Sequence, residues 1–471
     1  MFFYPVPAQQ TSFAATLRSF VQADDLPFPQ LLSETVIQRM ASEEHLHFAS
    51  AEDCVYTPAV TLWAFLAQCL SPSKSCVSAV ARVINLRLLQ GLPPCSAGTG
   101  AYCKARAKLT EPFLSRLTMH VADQLDHLAP ENWRWMNRSA FLIDGTTCTL
   151  PDTLANQSAY PQPPGPQPGV GFPLLRLVVL ISLATAVLHG AALGPYQGKE
   201  TGETSLFRTL LDRFVHGDVV VADRYYCSYW LVALLQQRGV DVVFRLHASR
   251  TYNFQRGQCL GRGDHVVRWE RPARPEWMDP ATYEQIPPSL TMRELGLRIN
   301  NPSSRTRKIV VATTLLDPKA YRHQAVCGLY RKRWQIELDI RSIKQTLQMD
   351  TLRCKTPAMV RKEIWAHFLT YNLVRKVMAQ ASWQARTTPR RLSFAAAVHL
   401  LDVMRDSLLL AGEAEQGKVG QVLLEAIAWH RVGDRPDRWE PRKVKRRPKA
   451  YPRLKRRRQE EQQEWFEKRR A

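Results

Sequence analysis

Tyr330, Arg333, Glu337 and Lys344 stand at the spacing Y-x2-R-x3-E-x6-K, in a stretch with no Pro or Gly from Arg331 to Leu347. The segment is predicted to be helical. At about 100° per residue the four side chains fall within about 60° of one another. Ile336, Ile340, Ile343 and Leu347 form a second, apolar stripe roughly 60–80° away. One edge of this helix can pack on a core while the next offers a carboxylate framed by two cations and a phenol. The same residues also fit plain ion pairing along a helix, so the helix alone does not decide its use.

Two more carboxylates lie at the ends of apolar strands. Phe141-Leu-Ile-Asp144-Gly145 reads as a buried strand carrying an Asp, and Val219-Val-Val-Ala-Asp223 as another. Asp is a poor strand residue, and among apolar neighbours it is costly to ionise unless a cation compensates. Either Asp alone is better explained as the cap of a turn or of a following helix. Three carboxylates in the order strand, strand, helix are better explained by one shared site. Such a set suits a hard divalent cation, Mg²⁺ or Mn²⁺, which takes oxygen ligands. Two such ions about 3.5–4 Å apart can activate the attacking oxygen and stabilise the leaving one in phosphoryl transfer.

On these residues the chain resembles the DDE transposases of bacterial insertion sequences, in particular the fourth insertion-sequence family, whose signature is this Y-x2-R-x3-E-x6-K helix. Asp144-Gly145 and Asp223-Arg224-Tyr225-Tyr226 resemble its two Asp motifs. The resemblance extends to most of the chain, including Thr57 to Trp63 and Gly91 to Cys95. It implies an α/β fold: a ribonuclease-H-like catalytic core with a β-rich insertion, flanked by helical N- and C-terminal regions. Asp144 would lie on the first strand, Asp223 after the fourth and Glu337 on a late helix, the three holding two Mg²⁺ ions with Mn²⁺ able to substitute. Arg333 and Lys344 would contact DNA phosphates beside the scissile bond, Tyr330 would help place the same strand, and Arg224 is a further candidate DNA contact. Water would attack at the element's terminal inverted repeats, and the freed 3′-hydroxyl would then attack target DNA in a cut-and-paste manner. Two ends must be brought together, which implies a homodimer assembled on DNA.

The elements that must position these residues read as follows. Residues 1–137 are mostly helical, with Thr61 to Leu70, Cys76 to Leu89 and Ala101 to Leu125 in helical period, and form a candidate DNA-binding region with Lys104, Arg106 and Lys108 as possible phosphate contacts. Residues 138–350 are the core. Within it, Pro151 to Pro173 reads as a loop, Leu174 to Leu193 as two adjoining strands near 174–183 and 185–193, and Gly202 to Val215 as a helix. A β-rich insertion spans about 246–316. Trp269 on one of its strands is either a base-stacking residue or an ordinary half-buried strand Trp. Residues 351–430 are helical again.

Gly194 to Glu200 only mimics a phosphate loop: the gap between its glycines is one residue short, and ATP binding is rejected. Residues 431–471 form a basic tail holding 17 Lys and Arg against 7 Asp and Glu, nearly half of the chain's net charge of +22. That excess calls for a polyanion, and DNA fits better than a membrane because no apolar anchor accompanies the charge. Ten Cys without a C-x2-C pair fit free thiols in a reducing cytoplasm, next to the nucleoid, and Met1-Phe-Phe-Tyr-Pro lacks the basic start of a secretory signal. Two other readings stay open on the sequence: a metal-dependent DNA nuclease that never joins strands, and a non-catalytic basic DNA-binding regulator.

Overall fold

A computed structural model of the chain describes residues 32–48, 54–89, 91–162, 171–298, 308–410, 413–433 and 456–470. Among the described residues, five helices come first: α1 (Glu34–Glu43), α2 (Pro58–Leu70), α3 (Cys76–Leu89), α4 (Gly100–Lys108) and α5 (Glu111–Leu128). The helix expected over Ala101 to Leu125 is two, because Thr110 caps a new start by accepting from Phe113 N–H and Pro112 occupies its first turn.

The core strands are β1 (Ala140–Thr149), β2 (Leu174–Ser182), β3 (Leu188–Pro195), β4 (Val219–Ala222) and β5 (Asp241–Arg245). Their order is β3-β2-β1-β4-β5. β2 runs antiparallel to both its neighbours, while β1, β4 and β5 are mutually parallel. This is the ribonuclease-H-like arrangement. A short helix, α6 (Leu154–Ala159), lies inside the segment expected to be all loop, capped by the Thr153 hydroxyl; residues 163–170 of that segment lie outside the described residues. The long apolar run is the β2–β3 hairpin, and among the described residues no helix is long and apolar enough to cross a membrane. The helix expected over Gly202 to Val215 is only α7 (Glu203–Arg208) followed by a 3-10 turn at Leu211–Arg213. Then α8 (Tyr229–Gln237) packs under β5.

The insertion supplies β6 (Gln258–Gly261), β7 (Asp264–Glu270), helix α9 (Pro280–Gln285), β8 (Ser289–Arg298) and β9 (Lys308–Thr313). It is no separate sheet. β9 pairs antiparallel with β5, so the strands continue β5-β9-β8-β7-β6 and the whole sheet has nine strands. A bidentate Arg293–Asp264 pair, fully buried on the Arg side, ties β8 to β7.

The Glu segment follows as α10 (His323–Arg331), a 3-10 turn at Lys332–Trp334, α11 (Gln335–Arg341) and a π turn at Ser342–Thr346. The last elements are α12 (Pro357–Gln384), α13 (Phe394–Leu410), α14 (Glu413–Trp429) and α15 (Arg458–Arg470). One continuous apolar core joins the N-terminal helices, one face of the sheet, α10, α11 and the C-terminal helices; a second fills the other face with α7, α8 and the insertion. The N-terminal helices are therefore part of the main body. Buried Lys74, in the α2–α3 turn, donates to the Cys69 carbonyl and, at 2.6 Å, to that of Leu347 at the end of the Glu segment.

Candidate active site

Strand alternation sets the direction of each acidic side chain. Leu142 belongs to the first core and Phe141 and Ile143 to the second, so Asp144 points to the face covered by α10 and α11. The β1–β4 ladder pairs Ala140 with Val219 and Leu142 with Val221. Carrying that register two residues on brings Asp144 level with Asp223, which follows β4 directly. Asp223 caps the 3-10 turn Arg224–Tyr226 by accepting from Tyr225 N–H at 2.8 Å. Asp144 accepts from Gly145 N–H at 2.9 Å.

Glu337 is delivered by α11, and Asp339 two residues on points the opposite way, as helical period requires. The buried Asp339 carboxylate takes Arg375 and Arg390 at 2.8 Å each, one from α12 and one beyond it. Arg390 also donates to the Ser182 and Leu183 carbonyls. This network fixes the back of α11 to the end of β2 and leaves Glu337, with 54% of its side chain exposed, at the open front.

Arg333 lies between the two carboxylates. Its guanidinium is 2.7 Å from Glu337 Oε1 and 3.7 Å from Asp144 Oδ2, with only 19% of the side chain exposed. Burial pushes the Asp144 carboxyl up to about 6; Arg333 and the Gly145 N–H pull against this, and Asp223 and Glu337 add to it. The β1–β4 register and the Arg333 contacts to Asp144 and Glu337 bring the three acids to one side of the sheet. They do not yet enclose an ion: among the described residues, no three His, Cys, Asp or Glu side chains are set close enough to hold one. The expectation of three acids already arranged as a cage is corrected to that extent. The reason is physical: Arg333 supplies the positive charge that the acids lack and sits where they would close. The donor set is all oxygen, as a hard divalent ion requires, and a cation already stands among the acids. In the chemistry of their donors the residues fit such an ion.

Tyr330 is buried beside the centre, with burial pushing its phenol up and Arg333 and Arg245 pulling it back. Lys344 does not share a straight helical stripe with the others, because the 3-10 and π turns change the phase on both sides of α11. It reaches β1 all the same, donating to the Thr147 carbonyl at 2.9 Å and pairing with Asp350 at 3.0 Å. Arg224 is exposed next to Asp223. Trp269 is not poised to stack on a base: it is 4% exposed, its indole N–H donates to Glu294 at 3.0 Å and Arg250 covers the ring at 3.9 Å. That expectation is corrected, since β7 turns the ring into the second core.

One acid at the site escaped the sequence reading. Glu203, on the first turn of α7, fills the space where a side chain at Gly145 would be; a Cβ there would lie 2.2 Å from its carboxylate carbon. Burial pushes this carboxyl up, Arg176 pulls it back, and Asp223 pushes it up again. The available signal was the Gly directly after Asp144, which implies a close approach.

A ribonuclease-H-like sheet with an acid within its first strand, another directly after its fourth and a third on a late helix defines the DDE class of DNA-acting enzymes. A family model described as a transposase DDE domain matches residues 135–373, just over half of the chain, and the chain belongs to that family. It is a DDE transposase. The transposase InsG for insertion sequence element IS4 of Escherichia coli strain K12 is 28% identical over 360 residues, covering 75% of this chain and 77% of that one. The putative transposase InsL for element IS186A of the same strain is 37% identical over 65 residues, 14% of this chain and 18% of its own. A piggyBac transposase synaptic complex with hairpin DNA aligns over 88% of this chain and 85% of that one, at 8% identity and a TM-score of 0.41.

Proposed function

We propose that this transposase cuts DNA at the terminal inverted repeats of its insertion sequence and joins the freed ends to target DNA by cut-and-paste, with Asp144, Asp223 and Glu337 as its catalytic acids. The observation that carries this is the Arg333 guanidinium set between Asp144 and Glu337, with Asp223 brought level with Asp144 by the β1–β4 register. DDE transposase domains generally use divalent ions. Two Mg²⁺ ions, or Mn²⁺ in their place, would be held by these three carboxylates, and when bound they supply an activated oxygen nucleophile and charge relief for the leaving oxygen.

The protein's own residues do the rest. Asp144 is fixed within β1, Asp223 directly after β4, and each by its own backbone hydrogen bond. Glu337, on the half-exposed side, is the acid free to adjust. Arg333 exchanges its carboxylate partners for a DNA phosphate, so its charge serves the acids in the resting protein and the substrate during reaction. Lys344, anchored at β1, lies beside the same strand of DNA; Tyr330 braces Arg333 from below, and Arg224 offers a further phosphate contact. The enzyme works as a homodimer assembled on DNA, in the cytoplasm beside the nucleoid. The net charge of +22 supports the DNA partner.

The test is Mg²⁺-dependent nicking of an end-bearing duplex by Asp144→Asn, Asp223→Asn and Glu337→Gln. Each is expected to abolish cleavage and strand transfer while end binding survives. Persistent nicking in any of them removes that residue from the catalytic set. Release of ends without joined product by the wild type would favour a nuclease.

A further inference from the structure

A cleft between the N-terminal helices and the segment after the π turn gathers three cations that the fold leaves largely uncompensated. Its cavity of about 180 Å³ is lined by Lys74, Arg106 and Arg353, by Ser73 and Ser75 and by Cys76, and among the described residues no acid lines it. Lys74 is 4% exposed; the Cys69 and Leu347 carbonyls take two of its three N–H donors and leave one over. Arg106, on α4, donates to Gln68 Oε1 at 2.9 Å, and its Nε is buried with no hydrogen-bond partner among the described residues. The rings of Phe65 and Tyr102, 5.1 and 5.4 Å away, hold its guanidinium in place. Arg353 is exposed, and no ion pair holds its side chain among the described residues. The acid whose charge bears on Lys74 is Glu363, which is buried and accepts from the Arg353 and Cys354 N–H groups at 2.9–3.0 Å. One carboxylate stands against three cations. The Ser73 and Ser75 hydroxyls, 3.2 Å apart, add polar groups, and the 14-residue α3 starts here, so its positive end adds to the same field.

We propose that this cleft is a phosphate site for the backbone of the end duplex, with Arg353, Arg106 and the remaining Lys74 N–H as its donors. The inference rests on the reading of DNA ends as the substrate. Cations held close together are unfavourable without an anion among them. A guanidinium matches the oxygens of a phosphate, and a helix start accepts the same charge. A lining of cations and hydroxyls suits neither a cation nor an apolar ligand. Ser73 and Arg353 are both exposed, so a group carried on a polymer can reach the cleft from outside. The cleft shares no residue with the acidic centre, so the phosphate it takes is not the one cut there. Lys74 connects the two, because the same ammonium holds the Leu347 carbonyl, three residues beyond Lys344.

The experiment scans an end duplex with single methylphosphonate linkages, each replacing one charged phosphate by a neutral group. Affinity is measured by fluorescence anisotropy in chelator for the full-length wild type, Arg353→Gln and Arg106→Gln. On the unmodified duplex Arg353→Gln is expected to weaken binding about tenfold and to lower the salt slope by about 1. Its melting temperature should stay unchanged, since the exposed side chain has no ion pair to lose. At one phosphate, or at two neighbours, neutralisation should weaken the wild type about tenfold but Arg353→Gln by less than about twofold, the coupling expected of groups in contact. Arg106→Gln should couple to the same phosphate; if it folds poorly, Arg353→Gln alone decides. Equal losses in wild type and Arg353→Gln at every phosphate overturn the proposal. Inorganic phosphate is titrated in parallel: binding that Arg353→Gln abolishes, with no coupled position in the duplex, assigns the cleft to a free anion and overturns DNA as its ligand. A wild type that does not bind the end duplex overturns the reading beneath it.

Discussion

Replacing Arg333 by Ala is expected to tighten divalent-ion binding while lowering DNA cleavage, two effects of opposite sign from one side chain. In the resting protein Arg333 is 3.7 Å from Asp144 and 2.7 Å from Glu337. A unit charge pair near 4 Å contributes about 4 kcal/mol at an effective dielectric constant of 20. Glu337 is half exposed, and an exposed i,i+4 pair contributes only about 0.3–0.5 kcal/mol. The half-buried Asp144 contact is an ion pair without a hydrogen bond, and after desolvation its net value is on the order of 1–3 kcal/mol. An ion entering between the acids must break these contacts. Removing them should tighten Mn²⁺ binding roughly ten- to a hundredfold.

The assay is calorimetric titration of Mn²⁺ into DNA-free protein at pH 8. Asp144 is raised to about 6 with Arg333 in place, and loss of the Arg charge pushes it further up, so the titration is run at alkaline pH to favour the ionised acid. With DNA present, cleavage by the variant should fall about a hundredfold, because the phosphate loses its positive partner. Unchanged or weaker Mn²⁺ affinity in Arg333→Ala would refute the idea that Arg333 stands in for the ion.

Three further outcomes are expected. His189 lies between Asp126 at 2.6 Å and Asp123 at 3.2 Å; burial pulls its imidazole down, but the two acids more than offset this and push it up to about 9. Its charge pair is fully present below about pH 6.5 and is lost as pH rises through about 9, so the stability difference between wild type and His189→Gln should shrink by about 3 kcal/mol across that window in urea melts; a constant difference would show a neutral imidazole. Trp269→Phe should lower the melting temperature by a few degrees through the lost Glu294 hydrogen bond and leave cleavage intact, whereas loss of cleavage at wild-type stability would restore the base-stacking role. Removing the tail after Val432 should flatten the salt dependence of DNA affinity; an unaltered slope would give the tail another task. Its main basic run, Arg442 to Lys449, lies outside the described residues.

Much of the centre was legible because its chemistry conflicts with its surroundings. An Asp at the end of four buried apolar residues, as at Asp223, stands out in any strand, and the β1–β4 register then brings it level with Asp144. The helix signature was legible as spacing but not as shape. Nothing in Ser342 to Thr346 announces a π turn, and packing rather than periodicity puts Lys344 against Thr147. The joining of β9 to β5 is a long-range pairing that alternation within either strand does not encode. Trp269 was ambiguous because period 2 gives two faces and only tertiary contact says which one is covered. Glu203 was hidden in an ordinary helical turn, since its partners Gly145 and Tyr226 are brought to it by the fold.

The most direct test is anomalous scattering from Mn²⁺ in crystals of the protein bound to an end duplex. Ion density bonded to oxygens of Asp144, Asp223 and Glu337, with the Arg333 guanidinium moved from those acids to a phosphate, is the expected result. Ions bound clear of any of the three acids, or Arg333 still lodged between Asp144 and Glu337 with DNA in place, would contradict it.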